Sequence, residues 1–141
     1  IREKHKTKSD YTKEAQAAFN KYIRVRDAGK PCISCGTMPE SFYGGGTDAG
    51  HYRSRGSAPH LKFHTSNCHA QCKRCNRYLS GSITEYRKGL VERLGLDKVE
   101  ALEQDQEERR FSIEYLKRIK DIFSRRARLY ERLNNKMKRV V

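Results

Sequence analysis

Apolar positions recur at three- and four-residue steps over Ala15, Ala18, Phe19, Tyr22 and Ile23, which predicts an amphipathic helix. Ser9 or Asp10 is the expected N-cap, and "DAGKP", with Gly29 and Pro31, closes the segment. Residues 31–66 break the pattern. They are rich in Gly, Ser, Pro and Thr, and "GGGTDAG" reads as a turn feeding a short strand, "AGHYRS". A helix is expected to begin near Cys72 or Cys75 and run toward Leu79. "SGSITEYRKGLVERLG" restarts it, with Ser82 and Glu85 matching a capping box and Gly95 as the stop. "LDKVEALEQDQ" predicts another short helix. From Glu107 to about Asn135 there is neither Pro nor Gly. Over that stretch Phe111, Tyr115, Ile119, Ile122, Phe123, Leu129, Tyr130 and Leu133 trace one side of a long amphipathic helix. That helix either packs on its own chain's core or serves as a dimer interface or a lever across nucleic acid.

Composition narrows the architecture. Apolar residues make up 35% and charged residues 34% of the 141-residue chain, so the core is small and a bound metal is a common aid to such cores. The pattern divides into a basic N-terminal segment and helix (1–30), a cysteine-bearing centre (31–96) and a helical extension (97–141). The net charge of +14 favours a polyanionic partner, nucleic acid first. Residues 1–96 carry 18 basic and 8 acidic side chains against 13 and 9 in the remainder, which puts the expected nucleic-acid surface in the first two thirds. No segment approaches the roughly 18 apolar residues of a membrane span. No secretory signal pattern is present, so no membrane partner is expected. The chain starts with Ile rather than Met and reads as a piece of a longer one.

Five cysteines include two Cys-x-x-Cys pairs, Cys32/Cys35 and Cys72/Cys75. Without a sign of secretion, such pairs suggest metal thiolates rather than disulfides. Zinc takes four ligands in a tetrahedron, and two intervening residues let a tight turn bring both sulfurs of a pair to one ion. These four are therefore expected to hold a structural zinc. Cys68 is the odd one, a small buried residue or a spare thiol, and a choice between Cys68 and Cys72 as ligand stays open. The pairs are 36 residues apart, more than a plain zinc ribbon needs. A first pair on a turn, a hairpin, and a second pair at a helix start describe a treble-clef finger containing a ββα unit. The expected class is α+β, with flanking helices and the long C-terminal amphipathic helix.

The order His51, Asn67, Asn76 around this frame resembles the one-metal nucleases of the His-Asn-His type. Four longer stretches resemble one family more closely: "YIRVRDAGKPCISCG", "DAGHYRSRGSAPHLKFH", "NCHAQCKRCNRYLSG" and "EYRKGLVERLG" followed by "VEALE". Together they are similar to the lambdoid-phage NinG/Rap family. The resemblance implies a metal-dependent endonuclease that hydrolyses phosphodiester bonds in Holliday junctions and D-loops. It also implies a homodimer in the cytoplasm of the bacterial host.

Phosphodiester hydrolysis needs an activated water, neutralisation of phosphate charge and help for the leaving oxygen. His51 is the expected general base, since neutral imidazole near pH 7 can take a proton from water. The resemblance makes Asn67 the residue that orients the base, although an Asx-turn before Cys68 explains it equally well. Asn76 is the expected ligand of a catalytic Mg²⁺ or Mn²⁺, its carboxamide oxygen being a hard donor. In the usual pattern an Asp directly precedes the histidine, whereas this chain has Gly50, and the nearest acid is Asp48. Residues three apart on a regular strand face opposite ways, so Asp48 can share the ion with Asn76 only if Ala49-Gly50 bulges. His64, His69 and Glu85 are weaker candidates.

Arg53, Arg55, Lys62, Lys73, Arg74 and Arg77 are the expected phosphate contacts, and Tyr43, Tyr52 and Phe63 the residues available to stack on unpaired bases. Two rivals need fewer of these groups. A non-catalytic zinc-finger module for nucleic acid needs only the cysteines and the basic surface. A protein-interaction scaffold needs only the helices.

Overall fold

The computed structural model describes residues 5–39 and 46–140. In chain order they form α1 (Lys8–Arg26), β1 (Thr47–His51), β2 (Cys68–Cys72), α2 (Ile83–Leu94), α3 (Leu96–Gln104) and α4 (Ile113–Val140). The class is α+β, with helices around a two-stranded antiparallel sheet. Among the described residues no helix is long and apolar enough to cross a membrane.

α1 starts one turn earlier than its apolar pattern suggested. Thr7 is the N-cap and Asp10 the third helical residue, and each side chain accepts a hydrogen bond from the other's backbone N–H. Asp27 ends the helix, and Gly29 takes the left-handed φ of +81° that turns the chain away. The capping box expected at Ser82 does not form. Ser82 is itself left-handed and gives no side-chain cap, while Glu85 pairs with Lys88 instead. Gly95 does end α2, with φ +91°.

The strand expected over "AGHYRS" lies two residues earlier, and its partner ends on Cys72, the first cysteine of the second pair. β1 and β2 pair in unbroken register, Asp48 opposite Gln71, Gly50 opposite His69 and His51 opposite Cys68. There is no bulge. Strand alternation therefore sends Asp48 and Gly50 to one face, with Gln71 and His69, and Ala49 and His51 to the other. The helix expected from Cys72 or Cys75 is replaced by a single π-helical turn, Arg74–Tyr78. Ser80, Gly81 and Ser82 follow it, all with φ between 44° and 82°.

Two clusters make the core. In the first, α1 and α4 pack on each other and on the His51 side of the sheet through Phe19, Tyr22, Ile23, Phe63, Cys68, Leu116, Ile119, Phe123 and Ala127. Phe19 meets Phe123 edge-on at 4.9 Å, and each such fully buried ring contributes about 1.5–3 kcal/mol. The second cluster joins Ile33, Tyr52, Leu61, Tyr86, Leu90, Val99 and Leu102 around α2 and α3. The stripe expected on α4 is really two. Leu116, Ile119, Phe123 and Ala127 face α1, while Tyr115, Ile122, Leu129 and Leu133 are exposed. So the helix does pack on its own chain, with one face left over.

Candidate metal centre and adjoining pocket

The two knuckles converge. The sulfurs of Cys32, Cys35, Cys72 and Cys75 all lie within 4.8 Å of one another, and this set could hold one zinc ion. A tetrahedral ion with bonds of about 2.3 Å keeps its sulfurs about 3.8 Å apart, and Cys35 Sγ lies 3.7 Å from Cys72 Sγ. Backbone N–H groups face the thiolates: Cys72 N–H reaches Cys32 Sγ at 3.3 Å and Cys75 N–H reaches Cys72 Sγ at 3.5 Å. The first knuckle is closed by Cys32 and Thr37, and Gly36 turns it at φ +76°. Cys68 stands apart, fully buried in the α1/α4 core, and burial pushes its thiol up.

Beside this centre lies an open pocket of about 660 Å³, lined among others by His51, Arg53, Arg55, Asn76, Gly81 and Glu103. His51 and Asn76 thus share one wall. His51 Nε2 sits 3.0 Å from the Lys62 carbonyl. A carbonyl only accepts, so Nε2 carries the proton and Nδ1 keeps its lone pair. Cys68 Sγ approaches that lone pair at 3.8 Å, a weak contact. Burial lowers the His51 pKa, outweighing the Lys62 hydrogen bond, so the imidazole is neutral near pH 7.

Asn67 is fully buried and its amide clamps the loop rather than the ring. Its Oδ1 accepts from Arg53 N–H at 2.9 Å, and its Nδ2 donates to the Arg53 carbonyl at 3.0 Å and the Leu61 carbonyl at 3.4 Å. It thus holds the backbone two residues beyond His51 and makes no side-chain bond to the ring. Asn76 donates Nδ2 to Asp48 Oδ2 at 2.9 Å without the bulge that the sequence required. Arg77 takes both Asp48 oxygens from outside. Burial alone would raise the Asp48 carboxyl, but the Arg77 and Asn76 hydrogen bonds hold it below its usual range.

Gly50 has a physical cause. A Cβ there would lie 2.1 Å from Gln71 Oε1, so the position of the usual aspartate is filled by the buried Gln71 side chain. Gln71 Nε2 in turn ties Ser34 on the first knuckle to the Gly81 carbonyl. A strand pattern cannot reveal such a crossing.

The basic residues divide. Arg53 spends its guanidinium on the carbonyls of Leu102 and Asp105 at the end of α3. Lys62 lies over the Phe111 ring. Arg55, Lys73 and Arg74 are exposed and make no ion pair among the described residues. Of the expected stacking residues, Tyr52 and Phe63 are buried in the two cores, and Tyr43 lies outside the described residues. Tyr52 donates its hydroxyl to Glu103 at 2.6 Å, and Arg87 holds the same carboxylate through two bonds. His60 donates to the Asp105 carbonyl, and His64 Nδ1 accepts from Ser66 N–H. His69 is buried against Tyr86, and desolvation takes its pKa down to about 3. Glu85 pairs with Lys88 on α2, away from the pocket lining. Glu103, and Tyr78 on the π-helical turn, are the residues that the sequence reading passed over. Glu103 does stand in the "VEALE" stretch, which gave the only advance signal.

A family model described as "Bacteriophage Lambda NinG protein" matches residues 1–134. The chain is similar to "Protein ninG" of Salmonella phage P22, 44% identical over 115 residues that cover 82% of this chain and 55% of that protein. It is 43% identical over 115 residues to "Protein ninG" of Escherichia phage lambda, covering 82% of this chain and 54% of that protein. The chain thus spans about half the length of the curated relatives it matches. No solved structure matches.

Proposed function

The chain belongs to the NinG family of lambdoid phages, and on that premise we propose that it is a metal-dependent endonuclease for branched DNA. The reading assigns the substrate as Holliday junctions and D-loops, and the core as a zinc-stapled treble clef whose ββα unit carries the chemistry. The observation that carries it is the state of His51. It is neutral, fixed in one tautomer by the Lys62 carbonyl, and on the wall of the same pocket as Asn76. A pure zinc ribbon has no use for a locked, desolvated imidazole on the wall of a pocket.

In this reading the weak Cys68 contact gives way and His51 Nδ1 takes the proton from a water. The water oxygen forms the new bond to phosphorus as the bond to the 3′ oxygen breaks, and solvent protonates the leaving oxygen. Arg55, Lys73 and Arg74 hold the phosphates, and Asn67 keeps the loop that carries Arg53 beside the base. Asp48 and Asn76 fit a hard divalent cation in donor type, and the Arg77 guanidinium occupies a cation's place on the carboxylate. Bound there, Mg²⁺ or Mn²⁺ supplies charge neutralisation at the phosphate. Zinc at the four cysteines is structural. The two-fold symmetry of a four-way junction suits a homodimer acting in the host cytoplasm, with the leftover face of α4 for the second copy.

One observation favours the second reading, a non-catalytic zinc-finger module that binds nucleic acid. Asp48, the acid nearest His51 in sequence, is already neutralised by Arg77. A labelled four-way junction incubated with Mg²⁺ or EDTA decides between them. The nuclease nicks it with Mg²⁺ only, and His51→Ala abolishes nicking while zinc content and junction binding persist. Nicking that survives in a clean His51→Ala preparation removes the assignment.

A further inference from the structure

Among the large hydrophobic residues described, Tyr78 is the most exposed, at 80%. Its neighbours Leu79 and Ile83 are exposed as well, so three apolar side chains stand in solvent within six positions. A tyrosine ordinarily hides its ring, as Tyr52 and Tyr86 do here. The surroundings are cationic: Lys73, Arg74 and Arg77 are exposed on the same turn, and from Ala49 to Thr84 the chain contains no Asp or Glu.

The backbone behind the ring is held at a cost. Ser80 and Ser82 have φ of 49° and 44°, a region that L-residues rarely occupy, on either side of Gly81. The strained turn is pinned from several sides. Gly81 N–H donates to the Cys75 carbonyl at 2.8 Å, and the Gly81 carbonyl accepts from Gln71. Leu79 N–H donates to the Arg74 carbonyl. The ring is therefore mounted on the metal knuckle, two and three residues before Ser80 and Gly81, which line the pocket.

We infer that Tyr78, backed by Leu79, is a stacking platform for one unpaired base at the branch point of the DNA. Lys73 and Arg74 hold the flanking phosphates. The inference rests on the nucleic-acid reading above and adds how the site tells branched from linear DNA. In a continuous duplex both faces of every base are covered by neighbours. At a branch a face is free, and an exposed ring on a rigid turn can cover it with little ordering cost. A rim on which Lys73 and Arg74 are exposed and make no ion pair among the described residues suits this occupant better than an apolar protein segment.

The test uses the whole zinc-loaded chain without added Mg²⁺ or Mn²⁺, so that nothing is cut, and DNA with 2-aminopurine at the branch. Wild type quenches the probe on branched DNA. Tyr78→Ala loses the quench and about five- to a hundredfold of branched-DNA affinity, with linear-duplex affinity and zinc content unchanged. Tyr78→Phe keeps both the quench and the preference. An unaltered ratio of branched to linear binding in Tyr78→Ala overturns the platform while leaving nucleic-acid binding in place. Wild type that binds neither DNA in a salt-sensitive way overturns the functional reading and the platform together.

Discussion

Arg77 closes on Asp48 with two hydrogen bonds, Nε to Oδ2 at 2.9 Å and Nη2 to Oδ1 at 3.0 Å. Asn76 shares Oδ2 from the other side. A carboxylate held this way cannot meet a metal ion until the guanidinium leaves, and a DNA phosphate is a natural destination for it. Arg77→Ala should therefore bind Mn²⁺ several-fold more tightly than wild type in the absence of DNA, read by the loss of the free Mn²⁺ resonance signal. Adding Asp48→Asn should cancel the gain. Equal affinity in wild type and Arg77→Ala would remove Asp48 from the cation site.

The five cysteines should separate into four and one. Cys75→Ser should lose bound zinc, measured by elemental analysis, and unfold at lower denaturant, because a zinc site contributes folding energy directly. Cys68→Ser should keep its zinc and still cost about 1–3 kcal/mol, since it buries a hydroxyl in the α1/α4 core. Zinc loss in Cys68→Ser would reopen the choice between Cys68 and Cys72.

Asn67 and Asn76 look alike in sequence and should behave differently. Asn67→Ala leaves the buried Arg53 N–H and carbonyl without their partner and should cost about 2–4 kcal/mol in urea unfolding. Asn76→Ala, at a half-buried position, should change stability by about 0.5 kcal/mol or less. Its effect should appear in the metal dependence of cleavage.

Acid should weaken the fold through His69. Its pKa falls from 6.5 to about 3 on folding, because burial disfavours the cation. The unfolded chain takes up a proton between those values and the folded one does not. The associated stability is intact above about pH 6.5 and is lost as pH falls toward 3. Between pH 7 and 4.5 the loss from this residue is about 2–3 kcal/mol, and it should be missing in His69→Phe, compared by urea unfolding at both pH values. His51 shifts in the same direction, so the acid limb of any pH–rate profile should lie below the ordinary imidazole range.

The sequence made the metal set legible because ligand spacing is a local property: both knuckles close within four residues. Helix positions were legible wherever apolar spacing and a glycine stop agreed, as at α2 and Gly95. What it could not reveal were relations made across the fold. Gly50 looked like a missing aspartate, and the reason for it, Gln71, sits on the partner strand. Arg53 looked like a phosphate contact, and its partners are carbonyls at the end of α3. Tyr52 and Phe63 looked available because alternating patterns do not say which face another element will cover. Tyr78 carries no sequence signal, because the segment reads as a helix and a strained turn has no periodic signature.

The pairing of α1 with α4 carries a consequence for synthesis on the ribosome. Glu14 receives Lys120 from 106 positions downstream, and Phe19 waits for Phe123 at a similar separation. The knuckles and the Tyr86/Leu90 cluster draw on no residue beyond α3 and can assemble while translation continues. The part of α1's apolar side that meets Leu116, Ile119 and Phe123 has no cover until α4 has left the exit tunnel. The nascent chain thus passes through a stage in which its centre is set and α1 is still adhesive, and α4 is the helix that ends that exposure.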